Sequence, residues 1–452
     1  SRILFDHQRQ ALAEWRRSGR RGILEHATGS GKTVTALHAV REHVSEGNPA
    51  LVVVPSVLLA DQWEAEATRE LKDVDPAILR AGGGHVKWRS LLGPFTVPDG
   101  QPRIVIATLA TASSEPFLKR LEPGEHLMVV CDEVHTAGAA KASAIFGVAS
   151  GPRLGLSATP RRAGDPAGTR RILEYFKRII QPPFTLADAI AAGRLTPYRY
   201  YVHTVALTSD EIDEWNELTT RIRRLAAQHE HQTPLADLEP ALKHLLIKRA
   251  RLAKNAAAKT DVAVETVARE YESGHRWLIY CDNTRQVETI CGLLKEASVP
   301  ASPYYADMPG DKAATLDRFV RDGGALVAVR CLDEGVDIPS VSHACIIASS
   351  RNPREFVQRR GRVLRRHPEK RSAVVHDLFV LPPKGDDVSS FESLVLSELA
   401  RAYEFAGHAV NPAVELQVRR IALEYGIDVD GRAAQDYDDL GYEEEEEEEP
   451  IG

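Results

Sequence analysis

Short, continuously apolar runs alternate along the chain with longer stretches whose apolar positions recur at helical spacing. The runs at 22–24, 51–54, 103–108, 127–131 and 153–157 predict strands. Leu4, Gln8, Leu12 and Trp15 fall on one side of a helix ahead of the first strand, and residues 34–40 and 57–71 also read as helical. Continuously apolar strands that alternate with helices predict a parallel sheet covered on both faces. From residue 209 to 271 glycine is absent and Ala, Leu, Arg, Glu and Lys dominate, which predicts helices. Strand-like runs resume at 276–280, 325–329, 344–348 and 373–378. Residues 390–425 read as helical again, and the chain turns acidic beyond Asp428. The predicted fold class is α/β, with two tandem parallel-sheet halves around a helical middle. The predicted boundaries are 1–200, 201–272, 273–385, 386–430 and 431–452.

Composition narrows this little. Of the 452 residues, 43% are hydrophobic and 27% charged, which is ordinary for a globular chain. No apolar run approaches the ~18 residues of a membrane-spanning helix, and the polar, helix-like opening predicts no signal peptide. Cys131, Cys281, Cys291, Cys331 and Cys345 are scattered without a Cys-x-x-Cys pair, so buried free thiols in a reducing cytosol are expected. Residues 443–449 are seven consecutive glutamates. They account for the whole formal net charge of −7, so the acidic balance does not exclude a nucleic-acid partner. Self-repulsion predicts a disordered tail, whose carboxylates either solubilise the chain or mimic a phosphate backbone. Lys243, Lys248, Arg249, Arg251, Lys254 and Lys259 concentrate positive charge on one helical stretch, either as a solvated face or as a phosphate-contacting one. High Ala and Arg usage points to a GC-rich prokaryotic genome.

The chemistry starts at residues 25–33, Glu-His-Ala-Thr-Gly-Ser-Gly-Lys-Thr, between the first strand and a helix. This is the context of a phosphate-binding loop. Gly29 and Gly31 permit the tight turn, and backbone N–H groups of Thr28, Gly29, Ser30 and Gly31 can face a phosphate. The following helix adds its positive end. Lys32 suits the β/γ-phosphates of ATP and the Thr33 hydroxyl suits Mg²⁺. Glu25 or His26 stands where the usual pattern begins with Gly. Downstream, Asp132-Glu133-Val134-His135 ends the strand at 127–131, where parallel α/β sheets place ligands. Asp132 would orient Mg²⁺, partly through water, and Glu133 would polarise the attacking water. A capped helix start is the plain alternative.

Together these two motifs resemble the motor of superfamily 2 helicases and translocases. The rest of that motif set follows in order. Ser157-Ala158-Thr159-Pro160 resembles the segment that links hydrolysis to domain movement. Residues 332–339, Leu-Asp-Glu-Gly-Val-Asp-Ile-Pro, resemble the second-domain motif that touches ribose and the nucleic-acid backbone. Residues 358–365, Gln-Arg-Arg-Gly-Arg-Val-Leu-Arg, resemble the arginine-finger motif. The likeness spans about residues 1–385. Within the superfamily it is strongest to xeroderma pigmentosum group B-like helicases and to restriction-enzyme motor subunits. DEAD-box RNA helicases would carry Asp-Glu-Ala-Asp and His-Arg-x-Gly-Arg, and neither is present.

The resemblance implies two RecA-like domains, with ATP and Mg²⁺ held by the first and Arg362 and Arg365 supplied by the second. It implies Gly335 and Asp337 near the nucleotide, and His135, Ser157, Thr159 and Gln358 as coupling residues. Gln8 falls where the family reads the adenine edge, although an exposed helix glutamine has the same sequence signal. Pro55 with Ser56, Thr108 with Thr111, and Asn283 with Thr284 and Arg285 are candidate nucleic-acid contacts at strand ends. The implied partner is DNA, single-stranded or forked, together with a nuclease or a repair or defence protein. The implied location is the cytoplasm, at the nucleoid. The resemblance implies an ATP-dependent DNA helicase or translocase that tracks 3′-to-5′; a double-stranded DNA translocase of a restriction or phage-defence complex, without strand separation, and a nucleotide-switched DNA-binding scaffold are the alternatives.

Overall fold

Alternate residues of a strand face opposite sides of its sheet, so a strand buried on both sides must be apolar throughout. Residues 50–54 show this in the computed structural model, which describes residues 2–162, 165–226, 240–305, 307–329, 340–348, 363–364, 366–367, 370–381 and 392–426. Val52 and Val54 join Trp15, Leu24, Leu37, Ile104, Val130 and Leu156 in one core. Leu51 and Val53 join Ile23, Val105, Val129, Phe117 and Phe176 in the core on the other face. Residues 335, 337, 358, 362 and 365, Cys331 and the acidic tail lie outside the described residues.

The chain divides into two units, Ser1–Arg194 and Leu195–Gly452. In the first, β1 (Arg21–Glu25), β2 (Ala50–Val54), β3 (Ala77–Ala81), β4 (Arg103–Thr108), β5 (Met128–Cys131) and β6 (Arg153–Ser157) form a parallel sheet. Their order is β1-β6-β5-β2-β4-β3. Helices α1 (Asp6–Arg17), α2 (Lys32–Ser45) and α3 (Val57–Glu70) precede or connect these strands.

The second unit carries β7 (Tyr198–Val205), β8 (Arg276–Cys281), β9 (Ala301–Tyr304), β10 (Gly324–Val329), β11 (His343–Ile346) and β12 (Ala373–Val380). They too are parallel, in the order β7-β12-β11-β8-β10-β9. β7 begins before residue 200, so its opening residues belong with the second sheet and not with the first half. Helix Ala257–Glu270, within the predicted helical middle, sends Ala263 and Val267 into the same core as Trp277 and Ile279. The basic stretch is not one surface. Arg249, Lys254 and Lys259 are buried, with Arg249 over the Trp215 ring and Lys259 Nζ donating to the Ile347 carbonyl at 3.0 Å. Cys131, Cys281, Cys291 and Cys345 are buried free thiols, and burial pushes each of them up in pKa. No helix among the described residues is long and apolar enough to cross a membrane.

Histidines recur along the second sheet. The His343 ring stacks on Trp277 at 4.4 Å, beside His275. His203 Nε2 lies 2.9 Å from His376 Nδ1, and Glu270 Oε2 lies 3.1 Å from His376 Nε2. Burial first, then neighbouring positive charge, pushes His343 and His376 down to about 3. His26, in the first unit, is pushed to about 3 by burial and by Lys32. A ring that refuses a proton in the folded state but accepts it near pH 6.5 when unfolded opposes folding in acid. Stability is therefore complete above about pH 6.5 and is lost as pH falls toward 3, by roughly 1–2 kcal/mol per ring at pH 5. Denaturant midpoints at pH 7.5 and 5.0 check this, and equal midpoints would refute it.

Candidate nucleotide and nucleic-acid site

The turn after β1 is built by backbone conformation first. Gly29 and Gly31 have φ of 83° and 85°, a region that side chains resist. A Cβ on Gly31 would also lie 2.5 Å from Gln8 Nε2. The loop is pinned from outside, since Ala27 N–H donates to the Phe184 carbonyl at 2.7 Å. Lys32 opens α2, and its ammonium donates to the His26 carbonyl at 2.9 Å. Thr33 follows it in the first turn. The buried Thr28 Oγ1 and Ser30 Oγ have no hydrogen-bond partner among the described residues. Two orphaned hydroxyls in a glycine turn at a helix start fit a ligand rich in acceptor oxygens, as a phosphate chain is.

Gln8 is 2% exposed and faces this loop. Its Oε1 accepts the Phe5 N–H at 2.9 Å, and its Nε2 donates to the Ser30 and Gly31 carbonyls at 3.3 and 3.1 Å. Both amide hydrogens are engaged, so reading an adenine edge requires Nε2 to release the loop. His7 was invisible as a site residue in the sequence. Its ring stacks on Phe184 at 3.8 Å, and its Nε2 lies 3.1 Å from the Ser30 carbonyl. No motif marks it, because its partners come from 23 and 177 residues away in the chain.

Asp132 follows β5 directly and is 7% exposed. Burial raises its pKa; the Trp63 indole and then the Lys32 ammonium pull it back down. Lys32 and Asp132 therefore share one electrostatic site. Glu133 has φ of 42°, rare for a residue with a side chain. Its Oε2 lies 3.6 Å from His135 Nδ1, which is 3.0 Å from Ser157 Oγ. Ser157 Oγ also accepts the Thr159 N–H at 3.0 Å. The acidic motif and the Ser-Ala-Thr segment are thus joined by a continuous polar chain. Arg162 closes it by donating to the His135 carbonyl.

The candidate nucleic-acid residues of the first unit gather at the C-terminal ends of the neighbouring strands β2 and β4, beside the end of β3. Pro55 and Ser56 follow β2, Gly82 to Gly84 follow β3, and Thr108 ends β4. A Cβ on Gly82 would meet Thr108 and Thr111 Oγ1 at 2.4 and 2.6 Å, and one on Gly83 would meet Val57 at 2.8 Å. The Thr108 hydroxyl donates to Thr111 at 3.0 Å and is largely buried, while Ser56 Oγ caps α3 through the Leu59 N–H. In the second unit Asn283 is occupied internally. Its Oδ1 accepts the Gln286 N–H at 2.9 Å and its Nδ2 donates to Asn255 at 2.7 Å. Arg285 next to it is exposed.

The family "Type III restriction enzyme, res subunit" matches residues 2–162, and the "Helicase conserved C-terminal domain" matches residues 258–367. The "DNA 3'-5' translocase XPB2" of Sulfurisphaera tokodaii is 27% identical over 388 residues, covering 80% of this chain and 79% of that protein. The "Putative DNA 3'-5' helicase Rad25" of Halobacterium salinarum is 29% identical over 81% of this chain, which spans only 52% of that protein. Among solved structures, the DNA-bound Type ISP restriction-modification enzyme LlaBIII superposes with a TM-score of 0.63. That match has 17% identity and covers 98% of this chain and 33% of the enzyme, a likeness of fold. With a res-type domain followed by a helicase C-terminal domain, the chain carries the domain pair of the superfamily 2 helicases and translocases, which are ATP-hydrolysing motors, and it is similar to their XPB-like and restriction-enzyme members.

Proposed function

We propose that this protein couples ATP hydrolysis to 3′-to-5′ movement along DNA, in repair or genome defence. The observation that carries the reading is the glycine turn after β1, with its two buried hydroxyls at Thr28 and Ser30 unpartnered among the described residues and Lys32 opening the next helix, in the same unit as the buried Asp132 that follows β5. On this reading Thr28, Gly29, Ser30, Gly31 and Lys32 hold the phosphates, and Thr33 and Asp132 hold Mg²⁺, Asp132 partly through water. The bound Mg²⁺ would neutralise charge that develops on the transferred phosphoryl group. Glu133 orients the attacking water, and the His135–Ser157–Thr159 chain carries a change at that carboxylate toward the end of β6. Arg362 and Arg365 enter from their motif alone, as the groups that stabilise the γ-phosphate. Gly335 and Asp337 beside the nucleotide, and Gln358 in coupling, rest likewise on sequence. Pro55, Thr111 and Arg285 contact the DNA backbone. Thr108 and Asn283 shape the loops that do so, because their polar atoms are already engaged.

A second reading, translocation on duplex DNA without strand separation beside a nuclease partner, is favoured by the res-subunit match. ATP hydrolysis is measured with and without DNA, alongside release of a labelled strand from forked, tailed and blunt duplexes. A triplex-forming strand on blunt duplex reports translocation. Stimulation by DNA with strand release from forks is the expected result. Stimulation with triplex displacement alone selects the translocase. Hydrolysis that ignores DNA overturns both and leaves a nucleotide-switched scaffold.

A further inference from the structure

The carboxylate of Asp132 is held by two donors from different parts of the first unit. The Trp63 indole N–H donates to Oδ2 at 2.7 Å, across 69 residues of sequence. The Glu133 backbone N–H donates to Oδ1 at 2.9 Å. Trp63 lies on α3 and is 1% exposed. An indole has one polar hydrogen and accepts nothing, so this contact is the whole polar role of the side chain. A tryptophan packed in a core needs a partner for that hydrogen, and a carboxylate gives it a charge-assisted one. Fixing both oxygens sets the plane of the carboxylate and the direction of its remaining lone pairs. Those lone pairs are what a divalent cation or its water shell would meet.

We propose that Trp63 is a positioning residue for the divalent cation: its indole N–H orients the Asp132 carboxylate, and losing that hydrogen bond selectively weakens cation binding. This rests on the reading that Asp132 faces the cation. Outer hydrogen-bond partners of metal ligands typically carry 10–100-fold in metal affinity. Packing at Trp63 would contribute equally with and without the cation, whereas orientation of the carboxylate matters only when the cation is present.

The test replaces Trp63 in the full chain in two ways. Trp63→Phe removes the N–H and some volume. Incorporation of 3-benzothienylalanine at position 63 keeps the bicyclic shape and puts sulfur in place of the N–H. A fluorescent ADP analogue is titrated in EDTA and over a series of Mg²⁺ concentrations. Both changes should raise the Mg²⁺ concentration for half-saturation about 10-fold and leave nucleotide affinity in EDTA unaltered. An unchanged Mg²⁺ titration, or equal weakening in EDTA and in Mg²⁺, overturns the proposal. Where the Phe variant loses its fold, the benzothienyl chain decides. Asp132→Asn is run in parallel. Its failure to shift the Mg²⁺ requirement removes the reading of Asp132, and with it the role of Trp63. A shift in Asp132→Asn without one at position 63 overturns the role of Trp63 alone.

Discussion

Glu133→Gln is expected to lower DNA-stimulated ATP hydrolysis by about 10²–10⁴-fold, the range over which positioned proton-transfer groups act. Nucleotide binding should survive, because the phosphate loop of residues 27–33 is untouched. The substitution is unusually clean at this position. Glu133 sits at φ 42°, where any residue with a Cβ is strained, and Gln meets the same strain as Glu. Backbone cost therefore cancels between the two proteins, and the charge is what differs. The carboxylate 3.6 Å from His135 Nδ1 becomes an amide too, so the polar chain through Ser157 is also tested. Phosphate release with and without DNA, beside binding of a fluorescent ATP analogue, checks the prediction. A loss below about 10-fold would show that another group handles the water.

Arg401→Met is expected to destabilise the second unit by about 3–5 kcal/mol, the usual result of leaving one half of a buried ion pair behind. Asp377 on β12 is fully buried, and Arg401 on helix Glu392–Ala406 donates to both of its oxygens at 3.1 Å. Tyr200 on β7 adds its hydroxyl to the same carboxylate at 2.8 Å, and Glu398 takes another Arg401 hydrogen. The group thus ties two strands to the helix that covers them. Urea unfolding of the two proteins measures the loss. Pairing Arg401→Met with Asp377→Leu should recover part of it, because one stranded charge is removed while the buried Glu398 carboxylate still loses the Arg401 hydrogen bond. A single variant as stable as the parent would refute the account.

The strands that the apolar pattern misses share one property. β3, β7 and β9 all lie at sheet edges, while the interior strands of both sheets stand out as continuous apolar runs. An edge strand is covered less completely, so its sequence can be mixed. β7 alternates buried and exposed residues, β9 contains Pro303, and β3 sets Arg80 beside Leu79. β1 is also an edge, yet it is legible because the glycine loop follows it. The site divides in a similar way. Lys32, Asp132, Glu133 and Ser157 are readable because phosphate chemistry restricts residue type at fixed local spacing. Trp63, His7 and Phe184 are not, because their roles come from contacts made across the fold. The six basic residues at 243–259 read as a surface for a related reason: sequence shows their charge but not which side of the helix packs inward.

The burial of the thiols has a practical corollary. Cys131 directly precedes Asp132 and is the one cysteine of the first unit, whereas Cys281, Cys291 and Cys345 lie in the second. Burial raises the pKa of all four, which suppresses the thiolate that alkylating reagents need. Each must be uncovered before it can react. With Cys331 replaced, the modification rate at each position becomes a clock for the opening of its own unit. The native sequence thus already holds reporters able to time breathing of the two halves separately, one of them a residue away from the acidic motif.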